Sequence, residues 1–335
     1  VDDNPHFRRT FRDIIRGFSD APILGETVYI KHLSAHDQVD VDLIYDKHLK
    51  LAKKRGVQTE KETLSQLLET GDWSSEKEEE IKRLELFCKQ LAENKTQLVL
   101  KSEIDAQNKE LTVTRSKILK IKEEKDSLLI HTAEAYATKR SNDYYVIKSF
   151  YKDKSISSPL FPSESDYSEL YTEDLKEYVL TYNKVFSSFE EVRIQEMILQ
   201  DFYYIYFPFS DDTVGFFGRP VVELTYNQLK LIVYTKIFKG IFENNKHIPE
   251  KIRKDPQALL DFGSVSDDAK EKMRSKYDSN ADGSTLFNAT DEDFEYAGLE
   301  KPSDSPGISL QKAAEDKGGS LSMEDLMELS GHRTK

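Results

Sequence analysis

Between Gly71 and Pro159 the chain has no glycine and no proline. These are the strongest local breakers of regular structure. Their absence from a charged stretch excludes a turn-rich segment and predicts long helix, either a coiled coil or a helical hairpin. A single helix from about Ser75 to Arg140 would reach roughly 100 Å at about 1.5 Å per residue. Cysteine is equally scarce: Cys88 is the only one in 335 residues, so no intrachain disulfide forms and a disulfide-stapled class is disfavoured. Within Leu86-Phe87-Cys88 it reads as a small hydrophobe on a helix seam. No apolar run approaches the roughly 18 residues of a membrane span. The longest stretches, Phe202–Phe209 and Leu229–Phe242, are broken by Pro208, Lys230, Lys236 and Lys239. Positive charge is in deficit, with a formal net charge of −13, which disfavours nucleic acid as a bulk partner. GxSxG, the phosphate-binding loop, GxGxxG and CxxC are all missing, and no cofactor is expected.

What is present fits a mainly α-helical chain. Charged residues make up 33% and hydrophobic ones 38%, suiting a helical core with a helical arm and a soft tail better than one compact globule. Four segments are expected. Residues 1–72 read as a small N-terminal helical unit with one short strand and a docking helix. Residues 73–143 form the coiled-coil or helical-hairpin arm. Residues 144–262 make an aromatic-rich helical domain, and residues 263–335 a polar, flexible tail with short docking helices.

Local signals place the elements. Thr27–Leu33 is rich in β-branched residues and predicts a strand. Ser34 with Asp37, Thr59 with Glu62, Ser75 with Glu78, Ser188 with Glu191, Thr225 with Gln228, and Thr290 with Asp293 all have capping-box spacing, and Gly56 and Gly71 are helix stops. On the arm, Ile81, Leu84, Cys88, Leu91 and Leu98 keep one heptad register. Ile104, Leu111 and Ile118, with Ile121, Leu128 and Ala135, keep another. The registers do not join between Leu98 and Ile104, which is either a stutter in one helix or the corner of a hairpin. The aromatic run Phe202–Phe209, Phe216-Phe217, and a helix from Leu229 to Phe242 that is apolar on most sides mark the expected core.

Few residues suggest chemistry. Asp278, Asn280 and Asp282, followed by Gly283, match the first half of a calcium loop, but Ala289 stands where the bidentate glutamate belongs, so an Asp/Asn/Gly turn is preferred. His32, His36, Asp37 and Asp40 could supply zinc ligands, yet no HExxH accompanies them and surface polarity is the plainer reading. No metal is therefore assigned. Phe7, Phe11, Ile14 or Ile15, and Phe18 recur at helical spacing beside Arg8, Arg9, Arg12 and Arg16. Such a helix docks in a partner groove, packs on its own core, or lies on an anionic membrane. Phe7, Phe11, Ile15, Phe18 and, in the tail, Leu326 are the partner-docking candidates.

Three short stretches carry a family resemblance: Val28–Leu33 leading into a capped helix, Phe216-Phe217-Gly218-Arg219-Pro220 leading into Leu224-Thr225-Tyr226, and Lys317–Met327. They resemble structural and tail-assembly proteins of tailed-bacteriophage virions. The resemblance implies a non-enzymatic component of the particle, at tail, baseplate or neck, assembled in the host cytoplasm with other virion proteins as an oligomer or multi-subunit complex. It assigns no functional residues. The rival readings are a cytoplasmic coiled-coil adaptor and an enzyme with a dispersed site.

Overall fold

A computed structural model of the chain describes residues 5–163, 166, 172–245, 248–265 and 290–297. The first helix, α1 (Pro5–Arg16), starts with proline at its first position, where the missing N–H is harmless and φ is already helical. Gly17 ends it in the left-handed region, φ +77°. The chain then enters β1 (Phe18–Ile23), turns at Leu24-Gly25, and returns as β2 (Glu26–Lys31). Both turn residues have positive φ, 51° and 85°, as a two-residue hairpin matched to the strand twist requires. A two-residue β3 (Phe150–Tyr151) completes an antiparallel sheet ordered β1-β2-β3.

The single expected strand is thus the middle of three. Phe18, assigned by its spacing to the N-terminal helix, lies in β1. Pro22 and the non-glycine Leu24 disguised β1 as loop, because proline usually demotes a strand and leucine rarely occupies such a turn.

The capping boxes at Ser34/Asp37 and Thr59/Glu62 open α2 (Ala35–Lys54) and α3 (Glu60–Thr70), and Gly71 closes α3 at φ +83°. Next come α4 (Ser75–Lys95) and α5 (Lys101–Leu128). Between them the chain turns over residues 96–100, which is where the two heptad registers fail to join. The break is the corner of a hairpin. The cap of α4 differs from the expected Ser75/Glu78 pair. Ser74 Oγ accepts from Lys77 N, while Glu78 accepts from the indole Nε1 of Trp73 at 2.8 Å. Helix α6 (Ala133–Ser149), capped by Thr132, lies along α2 with Ala133, Ala137 and Ser141 buried; three small side chains four apart let two helices approach closely. The second seam expected to run on to Ala135 is interrupted between α5 and α6.

Beyond β3 lie α7 (Thr172–Phe186), α8 (Glu191–Ile198), an 11-residue 3₁₀ segment Asp201–Asp211, α9 (Thr213–Phe217), α10 (Tyr226–Asn244), α11 (Glu250–Arg253) and α12 (Pro256–Ser264). The expected Ser188/Glu191 cap does not form: a 3₁₀ turn occupies Ser187–Phe189, and Glu190 precedes α8 at the cap position without a side-chain cap bond. Thr225 and Gln228 do form theirs at the start of α10.

The described residues group into two units, those within 1–89 with those within 112–263, and those within 90–111 with those within 264–297. Each unit draws on two separate stretches of the chain. In the first unit Lys125 and Glu78 pair at 2.8 Å, Lys122 and Glu85 at 2.7 Å, and Lys77 meets Glu124, so this part of α4 runs antiparallel to α5. The sheet buries Ala21, Ile23, Val28, Ile30 and Phe150 against Tyr182 of α7. In the second unit Gln107 Nε2 donates to the Leu91 carbonyl at 2.7 Å. There α13 (Asp291–Ala297) begins at the expected Thr290/Asp293 cap. Burial pushes the Asp293 carboxyl up, but hydrogen bonds from Ser102 and Thr290 outweigh it and hold the group below the usual carboxylate range.

Candidate docking site

Two of the docking candidates, Phe11 and Ile15, line a groove of about 560 Å³ in the first unit with Tyr206, Pro208, Phe209, Asp212, Gly215 and Phe216. Three elements build it, and each has a local reason to be there.

Helix α1 supplies one wall. Ile14 is fully buried, and the neighbouring turn puts Phe11 and Ile15, four apart, on an adjacent stripe. Gln228 fixes the helix. Its Oε1 accepts from Thr225 N at 3.0 Å, and its Nε2 donates to the carbonyls of Ile14 and Ile15 at 3.0 and 3.1 Å. One buried side chain thereby caps the start of α10 and bonds two C-terminal carbonyls of α1, that of Ile15, which a helix end would otherwise leave unpaired, and that of Ile14, which also accepts from Gly17 N at 3.1 Å. Gly17 follows directly, and a Cβ there would stand 3.6 Å from Thr225 Cγ2 and strain the backbone.

The 3₁₀ segment supplies the floor. Tyr203, Phe207 and Ser210 point inward and are buried, while Ile205 and Phe209 point outward at 66% and 61% exposure. Tyr203 is held by a 2.8 Å hydrogen bond between its hydroxyl and Thr235 Oγ1, and burial drives its phenol pKa far above the ordinary value. The Tyr206 ring lies 4.8 Å from that of Phe11 and 6.1 Å from that of Phe216, so the floor joins both walls. Helix α9 supplies the second wall. Asp212 accepts from Gly215 N at 2.9 Å, and the carboxylate lies so close that a Cβ at residue 215 would meet it at 2.3 Å.

A second groove, of about 590 Å³, opens on the other side of Pro208 and is lined by Tyr204, Phe207, Asp211, Lys239, Phe242, Glu243 and Arg253. Lys239 bonds Asp211 and lies 3.8 Å from Glu243. The bond to Asp211 raises the lysine pKa against the desolvation that lowers it.

Compared with family models, curated proteins and solved structures, the chain matches none.

The remaining expected site residues fall as follows. Phe7 is half-buried near the start of α1 and Phe18 is in β1; neither lines the groove. Asp278, Asn280, Asp282 and Leu326 lie outside the described residues. His32, His36, Asp37 and Asp40 do not converge. His32 is buried with its Nε2 2.9 Å from Ser19 Oγ, His36 is exposed, Asp37 holds the α2 cap and Lys31, and Asp40 pairs with Lys148. Among the described residues no group of three or more His, Cys, Asp or Glu could hold a metal ion, and no helix is long and apolar enough to cross a membrane. Sequence reasoning assigned Tyr206, Phe209 and Phe216 to the core. The outward set was hidden because nearly every residue of Phe202–Phe209 is aromatic or apolar, so composition marks the whole run as core and does not sort its faces.

Proposed function

We propose that the protein is a non-enzymatic assembly component that docks a neighbouring subunit in the groove between α1, the 3₁₀ segment and α9. The observation that carries this reading is the exposed aromatic lining. Phe209, 61% exposed, stands with the half-buried rings of Phe11, Tyr206 and Phe216 around one recess, and apolar surface grouped in this way on a polar chain marks an interaction site. The likeness of short segments to tailed-phage structural proteins supplies the setting, a virion tail, baseplate or neck. A cytoplasmic adaptor would use the same groove.

The test is incorporation. Phe11 is a poor site for it, because its ring meets those of Phe202, Tyr203 and Tyr206 at 4.8–6.0 Å and its loss would disturb the core. Phe209→Asp changes an outward side chain instead. The variant is expected to keep the wild-type circular dichroism spectrum and melting curve while failing to co-purify with native particles, or with cytosolic complexes if the adaptor setting holds. Wild-type incorporation of a folded Phe209→Asp chain would refute a docking role for the groove.

A further inference from the structure

We infer that the groove takes an acidic amphipathic helix of another protein, with its apolar side chains set between Phe11, Tyr206 and Phe216 and its carboxylates against the arginine edge of α1. The inference rests on the docking role proposed above and names the chemistry of the occupant.

The argument is the placement of charge around α1. At 100° per residue, Phe11 and Ile15 occupy one stripe facing the groove, Ile14 lies on the core side, and Arg8 and Arg12 follow next to Ile15 on the opposite side. Arg16 comes after them. The flank of α1 next to the recess therefore carries arginines, although none of them lines the recess itself. The helix carries four arginines against a single acid, Asp13, with none in its first turn, although the chain as a whole is at −13. Asp13 and Asp20 hold Arg9 and Arg12 in place: Arg12 bonds Asp13 at 2.7 Å and Asp20 at 3.2 Å, and Arg9 donates to the Asp20 carbonyl at 2.9 Å. Arg8 lies over the Phe202 ring at 4.8 Å and Arg16 over Phe18 at 6.0 Å. A row positioned by such contacts loses little further side-chain entropy when it meets carboxylates. On the facing wall the one carboxylate, Asp212, is directed at the backbone of Gly215 and caps α9.

Size and shape favour a helix. The volume of 560 Å³ falls within the roughly 300–1,000 Å³ of ligand-sized pockets. It suits the few anchors that an amphipathic helix presents at i, i+3 or i+4, and i+7. A bilayer surface is the weaker match: it would engage the protruding Ile205 and Phe209 but leave the recess lined by Phe11 and Tyr206 unfilled.

The test uses the full chain and labelled synthetic peptides read by fluorescence anisotropy. One probe is an amphipathic helix roughly four turns long with leucine and phenylalanine anchors and glutamate flanks. A second keeps the anchors and has lysine flanks, a third is proline-rich, and vesicles with anionic lipid form a fourth arm. The glutamate probe is expected to bind about tenfold or more tighter than the lysine probe, with the difference shrinking as salt rises. The double variant Arg8→Glu/Arg16→Glu, checked by its melting curve, is expected to lose about tenfold for the glutamate probe and little for the lysine probe. Equal affinity for the two helical probes, preference for the proline-rich one, or binding to vesicles alone would each overturn the inference. The docking role fails separately: if Phe209→Asp leaves incorporation intact, that reading falls; if it blocks incorporation while no acidic helix binds, only the identity of the occupant is wrong.

Discussion

Acid should unfold this protein through His32, by an amount that can be worked from its surroundings. The ring is fully buried, 4.5 Å from that of Phe189 and 5.9 Å from that of Phe186, and its one side-chain hydrogen bond runs from Nε2 to Ser19 Oγ. Nδ1 has no partner. No carboxylate compensates, so burial alone drives the imidazole pKa down from 6.5 to about 3. The unfolded chain therefore binds a proton between about pH 6.5 and pH 3 that the folded chain refuses, and stability falls with pH across that window. At about 1.36 kcal/mol per pKa unit, the loss from His32 is about 1 kcal/mol at pH 5.5 and about 3 kcal/mol at pH 4.5, levelling off below pH 3.

The assay is urea unfolding at several pH values, followed by the fluorescence of Trp73, the single tryptophan, which is buried in the same unit. His32→Leu is the matching perturbation. It leaves Ser19 Oγ without its partner, which costs about 1–3 kcal/mol at every pH, but it removes the titration. Offset and slope thus separate. Acid weakens other groups too, such as Asp37, whose carboxyl is pushed up by burial and pulled further down by Lys31 and Ser34; that loss is common to both proteins. Parallel stability curves for wild type and His32→Leu between pH 7 and pH 4.5 would refute the reasoning.

Two further outcomes follow from local geometry. Gln228→Ala removes hydrogen bonds to Thr225, Ile14 and Ile15 at once and leaves Thr225 N and the Ile15 carbonyl without these partners, so unfolding free energy should fall by about 2–4 kcal/mol, read from urea midpoints. Leu24→Asn replaces an exposed leucine held at φ 51° with a residue that tolerates this conformation, and should raise stability by about 0.5–1 kcal/mol in a thermal melt; a lower melting temperature would count against the turn assignment.

The sequence was most legible where structure is decided locally. The boxes at Ser34, Thr59, Thr225 and Thr290 form as their spacing predicts, because donor and acceptor sit three residues apart and need nothing from the rest of the chain. The register break between Leu98 and Ile104 marked the hairpin corner for a similar reason. Pairing across distance was illegible. Strand β1 depends on β2 for its identity, and its own residues, Pro22 among them, argue otherwise. Ser75/Glu78 lost to Ser74 because the buried indole of Trp73 claims Glu78. The groove was half visible: Phe11 and Ile15 stood out beside their arginines, but the floor and second wall come from residues nearly two hundred positions later.

That separation bears on how the chain is made. The Ile15 carbonyl near the end of α1 waits for a side chain 213 positions downstream. At about 5–20 residues per second, the ribosome takes roughly 10–40 s to deliver Gln228 after Ile14 has emerged. For that interval the apolar stripe of α1 has no seat on α10. Birth order thus exposes an arginine-lined sticky helix to solvent before the fold can shelter it, and any helper that escorts this protein during synthesis would meet that face first.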